Sequence, residues 1–285
     1  MPRITNLLTA GPTLSFEFSA PRDKEGNARL SRALDRLAHL HPAFMSVTYG
    51  AGGATRGPTR EVVQSIVDRG VTAMPHLTCV AHTTGEIGAV VDAYEAMGVE
   101  NLLALHGDLP ESSTELSAGH FQRAVDLVAF VREREPWAIG VAAHPEGHPR
   151  ARSRTEDLDH QAAKLRAADF GITQFFFSVE HYERFVDAMA ARDCMTPVIP
   201  GVMPPTNTDR IGAMAAMNGT EFPATLRSRI DAAGDDPDAR REVAIDEATR
   251  LSEALLAAGA PGIHLYTMNF SEPVRTIARN LGFGQ

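Results

Sequence analysis

The chain has little cysteine, almost no lysine and no long apolar run. Its two cysteines, Cys79 and Cys194, are too few for a disulfide framework and fit a reducing compartment. Of 27 basic residues only Lys24 and Lys164 are lysines, a bias that reflects genomic base composition more than any physical demand. With a net charge of −9 and no cluster of basic residues, the chain is a poor partner for nucleic acid or an anionic membrane surface. No window approaches the length of a membrane span, and the apolar part of MPRITNLLTAGP is too short for a signal peptide. The expectation is a cytoplasmic protein. Phosphate-binding signatures are also missing: the segment after the first apolar run reads SAPRDKEGN, which is neither G-x-G-x-x-G nor a P-loop, and GAGG at Gly50–Gly53 is too short to replace them.

What is present is a regular alternation. At 285 residues, 44% hydrophobic and 22% charged, the chain can bury a large core. Short β-rich runs occur at Leu14–Ser19, Phe44–Gly50, Ala73–Cys79, Asn101–Gly107, Ala138–His144, Ile172–Ser178, Pro197–Met203 and Gly262–Asn269. Amphipathic helical stretches separate them: Arg29–Leu40, Thr59–Arg69, Gly85–Met97, Phe121–Glu133, Thr155–Ala168 and His181–Ala191. The first seven strand centres are spaced by roughly 24–37 residues, the size of a β-α unit. The last interval is about twice as long and holds an acidic loop whose Pro237 starts a helix running to Ala258. Eight such units predict an α/β fold, a single-domain (β/α)8 TIM barrel over residues 1–285 with an elaborated crossover at about 204–260. An open doubly wound sheet is the rival, weakened by the missing glycine loop.

Barrel chemistry sits at the C-terminal ends of the strands. In order, those ends offer Glu17; Thr48 and Tyr49; His76 and Cys79; His106 and Asp108; His144 and His148; Gln174; and Tyr266 and Asn269. Each alone has a bland reading as a cap, a packed ring or a satisfied core polar group. Together they put polar groups around one rim. Glu17 raises the sharpest question, because a carboxyl among Leu14, Phe16 and Phe18 costs several kcal/mol if buried unpaired. A metal would draw on His76, Cys79, His82, His106, His144 and His148, but strand 1 ends Phe-Glu-Phe rather than His-x-His. The H-x2-C-x2-H run of His76, Cys79 and His82 spans a strand end and the following loop, where side chains need not converge, so no catalytic metal is expected. Cys79 reads as a small buried hydrophobe.

SFEFSAPR, SVTYGAGG, PHLTCV, LHGDLP, AAHPEGHP, ITQFFF, IPGVMP and LYTMN, in this order from about residue 13 to 282, resemble the methylenetetrahydrofolate reductase family. The resemblance implies a (β/α)8 barrel that reduces 5,10-methylenetetrahydrofolate to 5-methyltetrahydrofolate in one-carbon metabolism and methionine biosynthesis. In most members hydride passes from NAD(P)H to bound FAD and then to the folate. Glu17 matches the family's catalytic glutamate; desolvation favouring the protonated form of a carboxyl would suit it to protonate the ring nitrogen. Asp108 matches the aspartate beside the pterin, where it acts on the developing iminium and contacts substrate. Gln174 matches the glutamine that hydrogen-bonds the folate, and Tyr266 joins the substrate side. Thr48, Tyr49, His76, His106, His144 and His148 are assigned to the dinucleotide.

The resemblance fails where flavin would sit. FAD-using members have Arg-Gly-Asp where this chain has His106-Gly107-Asp108, and tyrosines where it has Arg123 and His144. The Asn and Arg that reach the FAD phosphates align with His160 and Ala163, although Asp157 and Lys164 remain. At about 1–3 kcal/mol per charged hydrogen bond, these losses turn a tight flavin site into a weak or absent one. The expectation is direct hydride transfer from NADH or NADPH, with FAD not bound. A conventional FAD enzyme and a non-catalytic folate-binding or partner subunit are the alternatives, and self-association into a homo-oligomer stays open.

Overall fold

A computed structural model describes residues 1–50, 56–80, 82–107, 120–134 and 137–284. The apolar runs become strands β1 (Thr13–Phe18), β2 (Phe44–Val47), β3 (Ala73–Thr78), β4 (Asn101–Leu105), β5 (Ala138–Ala143), β6 (Phe170–Thr173), β7 (Val198–Ile199), β8 (Gly201–Val202) and β9 (Gly262–Tyr266). All pair in parallel, in the order β7-β6-β5-β4-β3-β2-β1-β9-β8. β7 pairs with β6 and β8 with β9, and Pro200 alone separates the two pieces. They form one stave, interrupted where proline has no N–H to donate. Its own carbonyl still accepts from His264 N at 3.0 Å. Counted this way, eight staves close a barrel, as the alternation predicted.

The helices are α1 (Ile4–Thr9), α2 (Lys24–Ala38), α3 (Arg56–Val67), α4 (Thr84–Glu95), α5 (Ala124–Arg132), α6 (Arg154–Ala167), α7 (Val179–Ala190), α8 (Thr208–Met217), α9 (Ala224–Asp231), α10 (Pro237–Ala257) and α11 (Ser271–Asn280). Side-chain caps fix several starts. Asp23 accepts from Gly26 N, so α2 begins five residues before its apolar stripe suggests; Thr83 and Glu86 form a capping box on α4; Ser153 caps α6. The crossover from β8 to β9 carries α8, α9 and α10, and Pro237 occupies the first turn of α10.

Alternation divides each strand between two environments. Leu14, Phe16 and Phe18 join the shell between barrel and helices, together with Leu34, Leu37 and Ile277. The lower lumen is a separate apolar cluster of Phe44, Met74, Leu103, Ala138, Phe170, Ile172 and Ile199. The sequence reading assigned no helix to the N-terminal segment, yet α1 closes this end. Ile4 is fully buried among those residues, its N–H donates to Asn101 Oδ1 at 2.7 Å, and Asn101 Nδ2 donates back to the carbonyl of Pro2 at 3.1 Å. A second correction concerns β6. It starts at Phe170 and ends at Thr173, so Gln174–Phe177 are not strand but rim.

Candidate active site

Ser15 and Glu17 face the lumen one pleat apart, Glu17 beside Ser46 and Tyr266, and Ser15 beside Phe44 and His264. This resolves the apolar strand with a carboxyl in its middle: its outer face is hydrocarbon and its inner face is polar. His264 lies fully buried beneath Glu17. Its Nδ1 is 2.7 Å from Ser15 Oγ, and its Nε2 lies 3.3 Å from Ser46 Oγ and 3.6 Å from Glu17 Oε2. Ser15 donates its own proton to the carbonyl of Ile263, so its oxygen accepts from Nδ1–H. That leaves Nε2 as an acceptor for the Ser46 hydroxyl, with the Glu17 carboxyl 3.6 Å away.

His76 faces the same oxygen from β3, with Nε2 3.5 Å from Glu17 Oε2. Burial holds its pKa below the usual imidazole range; Glu17 pulls it up, and His264 pushes it further down. Tyr266 closes the group. Its hydroxyl donates to the carbonyl of Thr173 at 2.8 Å, and burial, then the neighbouring Glu17, keep its pKa well above the ordinary phenol range. Its ring packs edge-on against both His264 and Phe175, with centroids 5.7 and 6.0 Å apart. A single carboxyl thus stands among two imidazoles and a phenol at the top of the barrel, an arrangement able to exchange a proton with a ligand above it.

Four staves around the barrel, β5 ends in a different group. His144 N–H donates to Gln161 Oε1 at 2.7 Å, and Gln161 Nε2 donates to Asp157 Oδ2 at 2.9 Å and to the His144 carbonyl at 3.1 Å. Its imidazole Nδ1 is buried without a hydrogen-bond partner, and its ring meets that of His148 edge-on at 4.8 Å. Burial first, then Lys164 and His148, lower the His144 pKa to about 3. Lys164 is brought down to about 8 by burial, against the pull of Asp157. Asp157 is itself tied to Arg154 Nη1 at 3.2 Å.

The sequence-predicted residues therefore separate. Glu17, His76 and Tyr266 come together at the top of the lumen, and of these His76 is the one assigned from sequence to the dinucleotide. Gln174 sits at the rim after β6 with Oε1 accepting from Phe175 N at 3.1 Å. Thr48 is half-buried above Ser46, its N–H bonded to the carbonyl of Phe18. Tyr49 points into the outer apolar shell, its ring 6.2 Å from that of His82. His106 bonds through Nδ1 to the carbonyl of Gly107 at 2.8 Å. Cys79 is buried in the same shell, and burial raises its thiol to about 12, which suits an inert hydrophobe. Asp108 lies outside the described residues. Arg22, considered from sequence as a partner of Glu17, does not pair with it among the described contacts, and the side chain of Arg56 lies outside the described residues; two histidines stand nearest the carboxyl. His264 was missed, although GIHLY placed a polar side chain two residues before Tyr266 on the same face.

Solved structures with this fold include an uncharacterised Clostridium thermocellum protein that binds two copies of 5-methyl-5,6,7,8-tetrahydrofolic acid. It has a TM-score of 0.63 and 15% identity, with 96% of each chain covered. That likeness concerns the fold. In sequence, the chain is 37% identical over 271 residues to the 5,10-methylenetetrahydrofolate reductase of Escherichia coli strain K12, covering 94% of this chain and 90% of that one. It is 32% identical to methylenetetrahydrofolate reductase (NADH) 1 of Arabidopsis thaliana, covering 98% of this chain and 50% of the plant protein. A Caenorhabditis elegans protein named probable methylenetetrahydrofolate reductase (NADPH) is 34% identical, covering 94% of this chain and 42% of its own length. The family's sequence model matches residues 3–282, from the helix that closes the barrel floor to the end of α11, and the chain belongs to the methylenetetrahydrofolate reductase family.

Proposed function

We propose that the protein reduces 5,10-methylenetetrahydrofolate to 5-methyltetrahydrofolate and takes hydride directly from NADH or NADPH. The observation that carries the reaction is the placement of Glu17 in the upper lumen between His264 and His76. Glu17 gives a proton to N10 as the bond from N10 to the methylene carbon breaks. The electron pair of that bond stays on N10, and N5 forms a double bond to the carbon as an iminium cation. Hydride from C4 of the dihydronicotinamide adds to the carbon, and solvent restores the proton to Glu17. His264, its ring fixed by two serine hydroxyls, stands 3.6 Å from the carboxyl and helps to position it. Asp108 stabilises the iminium, and Gln174 and Tyr266 orient the pterin.

The donors near β5 do not suit a resident flavin. His144 and His148 meet edge-on at 72°, so they present no flat surface to an isoalloxazine. On α6, His160 and Ala163 are exposed and bring no fixed positive charge, Asp157 is held by Arg154 and Gln161, and Lys164 is the one cation of that set. Direct transfer needs both ligands bound together, with the reacting carbons about 3–3.5 Å apart. Purified protein should be colourless, should oxidise NADH or NADPH only with methylenetetrahydrofolate present, and should follow sequential kinetics. A yellow preparation, activity that appears only on adding FAD, or ping-pong kinetics would restore the flavin route. Asp108→Asn should lower kcat more than it raises the folate KM, and Gln174→Ala the reverse; identical behaviour would remove that division of roles.

A further inference from the structure

Outside the lumen, among the described residues, one group of three metal-ligating side chains comes together: Glu146, His181 and Glu221, each with a ligand atom within 4.8 Å of the others. They come from three separate parts of the chain. Glu146 follows β5, His181 lies in the first turn of α7, and Glu221 is on the connection from α8 to α9. Glu146 Oε2 lies 3.6 Å from His181 Nε2 and accepts from the backbone N–H of Glu221 at 3.0 Å. Its other oxygen is the telling atom. The Glu146 side chain is 10% exposed, yet Oε1 is buried with no hydrogen-bond partner. His181 reaches the carboxyl only through Oε2, so that pair does not account for Oε1. A cavity of about 680 Å³, whose walls include His181, Glu221 and Arg184, gives an approach from solvent.

We propose that Glu146, His181 and Glu221 form a binding site for a divalent transition-metal ion of the zinc class. One imidazole and two carboxylates suit such an ion, with the fourth position left to water. Metal–ligand bonds of about 2.0–2.2 Å would draw the three ligand atoms closer than they now lie. Glu221 is exposed and can make that adjustment. The ion would clamp the end of β5 and the start of α7 to the long crossover, steadying the rim beside His144 and His148 without touching Glu17.

One neighbour opposes loading. Arg184 Nη2 lies 3.0 Å from His181 Nδ1 and can only donate, so it selects the tautomer with the proton on Nε2. A metal on Nε2 requires the proton on Nδ1, and Arg184 must then turn away. Glutamine at that position would offer an oxygen to accept from Nδ1–H, as the outer partners of metal-bound histidines do.

The test is zinc titration of the EDTA-treated protein by calorimetry, with thermal unfolding measured in parallel. Wild type should bind one zinc ion saturably, and its Tm should rise with zinc concentration. Glu146→Gln, which retains the backbone contact, and His181→Asn should each weaken binding by about tenfold or more. Arg184→Gln removes no ligand and should tighten binding severalfold, so the proposal stays testable if a ligand variant folds poorly. It is overturned if wild type shows no saturable binding, if Glu146→Gln binds zinc as tightly as wild type, or if Arg184→Gln fails to tighten binding.

Discussion

The two ends of the barrel lumen are lined by the same strands and differ almost completely in chemistry. The lower end is filled by Phe44, Met74, Leu103, Phe170 and Ile199 and closed by Ile4. The upper end holds Glu17, His76, His264 and Tyr266. Below, side chains are selected for volume, and their fit stabilises the fold. Above, hydrogen-bond direction decides, and the cost of polar burial is offset by mutual contacts such as Ser15 with His264. A layer separates chemistry from scaffold, so a variant in one end should leave the other's property intact.

Glu17→Gln should break the upper end hardest. Removing a general acid lowers turnover by about 10²- to 10⁴-fold, while an amide of the same shape leaves Tm unchanged or slightly raised. NADH oxidation and thermal unfolding on the same preparation check both halves. Activity above about a tenth of wild type would exclude the acid role, and a large fall in Tm would make Glu17 structural. Phe170→Ala is the converse. It should cost about 3–5 kcal/mol in denaturant unfolding, with the folate KM of the folded fraction close to wild type.

Gly201→Ala probes the boundary between the ends. A Cβ there would lie 2.5 Å from the Thr173 carbonyl and 2.6 Å from the Tyr266 ring, the two groups joined by the Tyr266 hydroxyl bond. Crowding of this kind costs about 1–3 kcal/mol, and here it should raise the folate KM as well. A stability loss with unchanged KM would detach Tyr266 from the substrate. The smallest effect concerns His144. Its folded-state pKa of about 3 lies below the ordinary 6.5, so between those values the unfolded chain takes up a proton that the native state refuses. Stability must then fall on acidification through that window, by at most about 1.4 kcal/mol per pH unit. The drop in Tm between pH 7 and pH 5 should be smaller in His144→Phe than in wild type, and equal drops would assign the acid sensitivity elsewhere.

Much of this division was legible in the sequence because period-2 alternation records which residues share a face. It gave the eight staves and put Glu17 opposite Leu14, Phe16 and Phe18. It could not give register. That Ser15 stands beside His264 depends on a pairing across 249 residues, so His264 read as one more residue in an apolar strand. The same limit hid the floor. α1 is six residues long and marginal as an isolated helix, and it is held by Asn101 across 97 residues. Gln174 was placed in a strand because a run of three phenylalanines mimics one, while in the fold that run packs beyond the last ladder pair.

The long crossover has a consequence for how such a chain can change. Residues 203–261 join β8 to β9, about twice the span between other neighbouring staves. The entropy of closing a loop grows only with the logarithm of its length, so each doubling adds about 0.6 kcal/mol. Barrel closure is therefore almost indifferent to how much chain is looped out at this point. Three helices and Glu221 occupy this connection, and new contacts with the rim can accumulate there while the staves stay as they are.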